Sequence, residues 1–99
     1  MYAVIFRATI KALDDEYYET AEKLRHLAIE NYGCLEFCAY TEGDQEVAIS
    51  YWPGEEQIRD WKQDPIHLEA QRRGSESWYE SYQVQVVEIV RQYTSAKAS

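Results

Sequence analysis

The chain predicts an α+β domain of order β-α-β-β-α-β, a four-stranded antiparallel sheet with its helices on one face. Three observations predict it. Segments of helical period cross twice between segments of strand character. The two middle strand segments, CLEFCAYT and QEVAISYW, are joined by the short turn Glu42-Gly43-Asp44, so they pair as a hairpin. The strands are apolar on both faces, so the side without helices also needs a cover. This is the split βαβ, ferredoxin-like arrangement.

Each element has its own signature. Tyr2 to Ile10 (YAVIFRATI) is aromatic and β-branched, with Arg7 its one charge, which is the composition of a strand buried on most of both faces. Lys11 to Asp15 is a turn, with Asp14 or Asp15 capping a helix and Glu16 and Glu19 near its positive end. From Asp15 to about Asn31, residues Tyr17, Ala21, Leu24 and Ala28 recur at three- and four-residue steps, flanked by Thr20 and Leu27. Glu22, Lys23, Arg25 and Glu30 lie away from that stripe, so the helix is amphipathic. Gly33 suits its left-handed closing residue. Cys34 to Thr41 and Gln45 to Trp52 are the hairpin strands, and Pro53-Gly54 ends the second. Glu55 to Lys62 predicts a short helix with Ile58 and Trp61 facing inward. Asp64 then caps a further segment with Pro65 at its first position, running to about Arg73 and stopped by Gly74. From Trp78 or Tyr79 to about Tyr93 the pattern is strand again. A domain core of residues 2–93 and a flexible tail, 94–99, are expected.

Ninety-nine residues, 45% of them apolar, make one folded domain. The formal charge of −8 and the lack of a basic stripe argue against nucleic acid and against an anionic membrane surface. The acids are spread along the chain, as solubility requires. No basic start with a long apolar run and no membrane-length span is read, so a cytoplasmic protein is expected. Cys34 and Cys38, four apart on one strand, lie roughly 13 Å apart, beyond disulfide reach. Without a CxxC or a Cys/His cluster no metal site is expected, and both thiols should be reduced and mostly buried.

The stretch Tyr51 to Tyr82 holds all three tryptophans and both prolines, and here the chain resembles a known family. The opening YAVIFRA, Tyr32-Gly33, AISYW before Pro53-Gly54-Glu55-Glu56, then Trp61, His67, Ala70-Gln71, Gly74 and Trp78-Tyr79 resemble the antibiotic biosynthesis monooxygenase (ABM) family, a dimeric α/β-barrel fold. The likeness covers about residues 2–93 and is strongest to a subgroup whose members are uncharacterised. The family includes cofactor-free oxygenases of aromatic polyketides, quinol oxygenases and haem-degrading proteins. The resemblance implies a homodimer through the helix-free sheet faces, a small aromatic or quinol-like ligand, and chemistry without a cofactor.

Six residues are candidates for a site. His67, the one type of side chain that titrates near neutrality, is the candidate base toward a phenolic substrate, or a histidine bonded to a nearby backbone carbonyl or carboxylate. Gln71 shares its helix face. Trp61 is a core residue or a pocket wall. In the haem-degrading branch such a tryptophan works with a histidine ten residues on and an asparagine on the first strand. Here Gln71 and, on the strand, Arg7 and Thr9 stand instead, which argues against haem. Trp78 and Tyr79 should face opposite ways, one inward and one toward a partner or solvent, as packing or as a stacking wall for a flat ligand. Arg7 should pair with Glu36 or Glu88, or else anchor an anionic substrate. The expected function is a cofactor-independent monooxygenase of a small aromatic. The alternative is a non-enzymatic dimeric module that binds a small molecule or a protein.

Overall fold

A computed structural model of the protein describes residues 1–96. The elements are β1 (Tyr2–Ile10), α1 (Asp15–Asn31), β2 (Glu36–Glu42), β3 (Gln45–Trp52), α2 (Glu55–Lys62), α3 (Pro65–Arg73), a π-helical turn (Gly74–Trp78) and β4 (Tyr79–Glu88). The sheet order is β2-β3-β1-β4 with every neighbouring pair antiparallel. The helices lie over one face of this sheet. Within one chain the sheet is open, with β2 and β4 at its edges, so the single chain closes no barrel.

Local chemistry sets the boundaries. The Asp14 carboxylate accepts from the Tyr17 N–H at 2.8 Å and caps α1. At the other end Gly33 takes φ 78°, and the Cys34 N–H reaches back to the Ala28 carbonyl at 2.9 Å. The β2–β3 turn is two residues long, with Gly43 at φ 61°. Asp64 serves two elements. One of its oxygens accepts from Ile66 N–H at 2.8 Å to cap α3, and the other accepts from the Tyr32 hydroxyl at 2.7 Å. The end of α1 is thereby tied to the start of α3.

Three expectations change. The strand of the first hairpin arm begins at Glu36, not Cys34, because buried Cys34 lies in the link and its thiol donates to the Glu36 carbonyl at 3.2 Å. Gly74 does not stop α3. It keeps helical angles (φ −59°, ψ −49°), and the chain continues into the π turn. Its bareness serves packing, since a β-carbon there would stand 3.0 Å from two ring carbons of Tyr79. Finally, β4 ends at Glu88 rather than near Tyr93. Glu88 is opposite Tyr2, the first residue of β1, so the partner strand runs out; one more bond joins Ile89 N–H to the Met1 carbonyl at 2.9 Å. Of the expected tail, residues 97–99 lie outside the described residues.

The space between helices and sheet is filled unevenly. Val4, Ala28, Cys34, Trp52, Ile58 and Trp61 form a buried core, with Leu24, Leu27, Tyr32 and Phe37 packed on it. Trp52 is fully buried, and its indole N–H donates to the Ser50 hydroxyl at 2.8 Å. The helix-free face carries Ile5, Val47, Ile49, Tyr51, Cys38 and Val87, all half-buried, and Tyr40, 68% exposed. Arg7 is on that face too and is exposed. Its expected partners are out of register. Arg7 stands opposite Val47 and Gln83, whereas Glu36 pairs with Tyr51 and Glu88 with Tyr2, several residues along the sheet. Arg7 makes no ion pair among the described residues.

Candidate functional site

Beyond the core, the helix–sheet space opens into a cavity of about 160 Å³. Its floor is the helix-facing side of the sheet, including Phe6, Ala48 and Val84, and its roof is α1, α3 and the π turn. That volume is near the roughly 150 Å³ in which a benzene-sized ring is accommodated. It is well below the several hundred Å³ of pockets for larger ligands. The walls are mostly aliphatic and aromatic, and the few polar groups gather at two ends.

The first end is made by α2 and α3. Trp61 packs between the Trp52 ring at 5.1 Å and Phe37 at 6.0 Å. The His67 ring meets Trp61 edge-on at 4.2 Å and 80°. The Asp64-Pro65 restart aims His67 here, since capping fixes the first turn of α3. Burial, helped by the Lys62 ammonium and opposed by Asp64, lowers the His67 pKa from 6.5 to about 4. The ring is neutral at physiological pH. Its Nδ1 and the Trp61 indole N–H are both buried and lack a hydrogen-bond partner among the described residues. Gln71 lines the cavity one turn further along α3.

The second end is made by β3, β4 and the π turn. Glu46 faces the helices from β3, 6% exposed, and its Oε2 accepts from the Tyr79 hydroxyl at 2.9 Å. Desolvation raises its pKa from 4.5, and the Tyr79 bond partly offsets that rise. Burial and the neighbouring Glu46 carboxylate push the Tyr79 phenol well above its ordinary value. The Tyr79 ring is held by Phe6 at 5.3 Å and Tyr17 at 6.2 Å, and lies against bare Gly74. Trp78 closes this end of the roof. Its indole donates to Asp14 at 3.2 Å, its face lies under the Arg73 guanidinium, and Arg73 holds Glu16 in two hydrogen bonds. The start of α1 is thus clamped to the end of α3.

Five of the six expected site residues line the cavity: Trp61, His67, Gln71, Trp78 and Tyr79. Arg7 lies across the sheet from it and takes no part. Trp78 and Tyr79 both face the cavity rather than opposite sides, because Trp78 belongs to the π turn, and strand alternation begins only at Tyr79. Glu46 was missed. The signal was present: in QEVAISYW, Glu46 shares the even-numbered face with Ala48, Ser50 and Trp52, so a carboxylate stands at a core-facing position.

No family model matches the chain. The uncharacterised protein YqjZ of Bacillus subtilis is 37% identical over 92 residues, spanning 92% of this chain and 81% of that protein. Among solved structures, one described as an antibiotic biosynthesis monooxygenase superposes with a TM-score of 0.77 at 16% identity, covering 92% of this chain and all of that one. SnoaB, a cofactor-independent oxygenase from Streptomyces nogalater, superposes with a TM-score of 0.76 at 13% identity, over 92% of this chain and 94% of its own. At such identities the structures speak for the fold.

Proposed function

The chain belongs to the family of Bacillus subtilis YqjZ and has the ABM fold, and from that premise we propose that it is a cofactor-independent oxygenase of a one-ring quinol or similar hydroxylated aromatic. One observation carries the reading: a cavity sized for a single ring, aromatic-walled, with titratable groups at two ends, between helices and sheet. The overall reaction balances with dioxygen as the oxidant. A quinol and dioxygen give a hydroxyquinone and water; one oxygen atom enters the ring, the other leaves as water, and four electrons pass from ring to dioxygen. The protein's part is to exclude water, orient the ring and stabilise its anion, the electron-rich form that dioxygen oxidises. Neutral His67, as a hydrogen-bond partner, and the Trp61 N–H serve that anion at the first end.

Oxygen uptake on a panel of quinols tests this, with an Ala48→Phe variant whose ring occupies the cavity as control. Uptake by wild type well above that control is expected, and equal rates would overturn the reading. The second reading, a small-molecule binding module, is favoured by the unpartnered Trp61 and His67 nitrogens, which suit simple binding as well as catalysis. A ring that binds without any oxygen uptake would select it. Haem is disfavoured on size, since a tetrapyrrole needs several times this volume.

The helix-free face supports a homodimer as part of the same proposal. Its half-buried Ile5, Val47, Ile49 and Tyr51 are large groups with no cover in one chain, and Val90 and Tyr93, about 90% exposed, extend beyond β4. A second copy stacked on the sheet covers them. A sedimentation mass near the 11.7 kDa monomer at micromolar concentration would contradict it.

A further inference from the structure

Glu46 is a carboxylate at a core-facing position, where its one structural task is to accept from the Tyr79 hydroxyl. Among the described residues it is the one acid lining the cavity, it is buried, and no cation pairs with it. A mostly buried carboxylate with one hydrogen bond and no cation is disfavoured against an uncharged residue at the same position. A glutamine or an apolar residue would fill the position more stably. Among the described residues the Tyr79 hydroxyl is its one hydrogen-bond donor, and it occupies only Oε2. Oε1 is therefore left for a donor that enters the cavity.

The surroundings keep this group in one place. Tyr79 is wedged among Phe6, Tyr17 and Tyr82, and Gly74 leaves the room its ring needs. On the neighbouring strands Glu46 is flanked by Ala8 and Thr41, neither of them charged. Of the residues around the cavity, only Lys62, His67 and the tyrosines Tyr17, Tyr79 and Tyr82 also titrate. Lys62 and His67 belong to the far end, where Trp61 packs on Phe37 and Trp52. Phe37 stands opposite Ser50, four residues and so roughly 13 Å along β3 from Glu46.

We propose that Glu46, oriented by Tyr79, is the proton acceptor of the cavity, and that the ligand is a neutral ring carrying an ionisable hydroxyl directed at Oε1. The proposal rests on the reading that the cavity holds a small ring. The step is an acid–base one: the ligand O–H bond breaks, the proton forms an O–H bond on Oε1, and the electron pair stays on the ligand oxygen. A ring with a second oxygen at its opposite end places that oxygen toward the unpartnered Trp61 N–H and His67. Glu46 is then the catalytic residue and Tyr79 a positioning residue. This assigns proton abstraction to the second end and hydrogen bonding to the first.

Binding of phenol and of anisole, its methyl ether, separates this proposal from the reading beneath it. Wild type is expected to prefer phenol by tenfold or more, and Glu46→Gln, the same shape without the charge, to lose most of that preference while folding as well or better. Tyr79→Phe keeps the ring but removes the bond that holds the Glu46 pKa down, so the acid limb of phenol binding moves to higher pH. With a quinol that is turned over, Glu46→Gln is expected to lower kcat about a hundredfold or more. Equal binding of phenol and anisole by wild type, or a preference unchanged in Glu46→Gln, overturns the proposal and leaves the cavity reading standing. Failure of both rings to bind overturns the two together.

Discussion

The two ends of the cavity show one environment acting on opposite chemistries. At the α2–α3 end, burial drives an imidazole to its neutral form, down to about pKa 4. At the β3–β4 end, burial raises a carboxyl toward its neutral form. The same desolvation penalises both charges, so it makes His67 a poor proton acceptor and Glu46 a better one. The two shifts run in opposite directions, so burial reverses the ordinary order in which an imidazole and a carboxylate take up a proton. On the proposal above, Glu46 accepts the proton rather than His67, the base expected from the sequence.

The first way to break the comparison is to unbalance packing. Trp52→Ala at the filled end should cost ~3–5 kcal/mol in urea unfolding, through lost burial and the cavity it leaves. Ala48→Val at the hollow end should be neutral or stabilising by up to about 1 kcal/mol, because it fills existing space on a strand. Comparable losses at both sites would mean that the hollow end is not hollow.

The second separates the two titrations by sign. Unfolded His67 takes a proton near 6.5 and folded His67 near 4. The unfolded chain binds more protons between those values, so stability falls as pH drops through them, by on the order of 3 kcal/mol. Glu46 works the other way, since its folded form protonates at higher pH than its unfolded form and acidification through that range adds stability. His67→Gln should thus lose less stability than wild type between pH 7 and pH 4, and Glu46→Gln should lose more. Unfolding curves at the two pH values check both, and identical pH dependence in all three proteins would contradict the assignment.

The smallest effect concerns Gly74. Glycine to alanine in a helical residue ordinarily stabilises by about 1 kcal/mol. Here the added methyl meets the Tyr79 ring, which is held on Glu46. A net loss of about 1 kcal/mol is expected in thermal unfolding, and the ordinary gain would show that the ring moves freely.

Periodicity and punctuation were enough to read most of the fold. The α1 stripe, the Asp64-Pro65 restart, the aromatic and β-branched run of β1 and the Pro53-Gly54 stop after β3 each carry their structure locally, and their bounds match. What stayed hidden depends on partners. The end of β4 is set by where β1 begins, the role of Gly74 by a ring five residues on, and the isolation of Arg7 by strand register. The site divides the same way. Trp61 and His67 announce themselves by residue type, whereas Glu46 matters only because its strand face is buried, a property of the assembled sheet.

An NMR pH titration that follows the His67 ring and the Glu46 side-chain carboxyl in the same sample tests the central contrast most directly. His67 is expected to titrate near 4, and Glu46 above the ordinary carboxyl value of 4.5 and higher still in Tyr79→Phe. A His67 midpoint near 6.5 together with an ordinary Glu46 would mean that water reaches both ends, and would contradict the account.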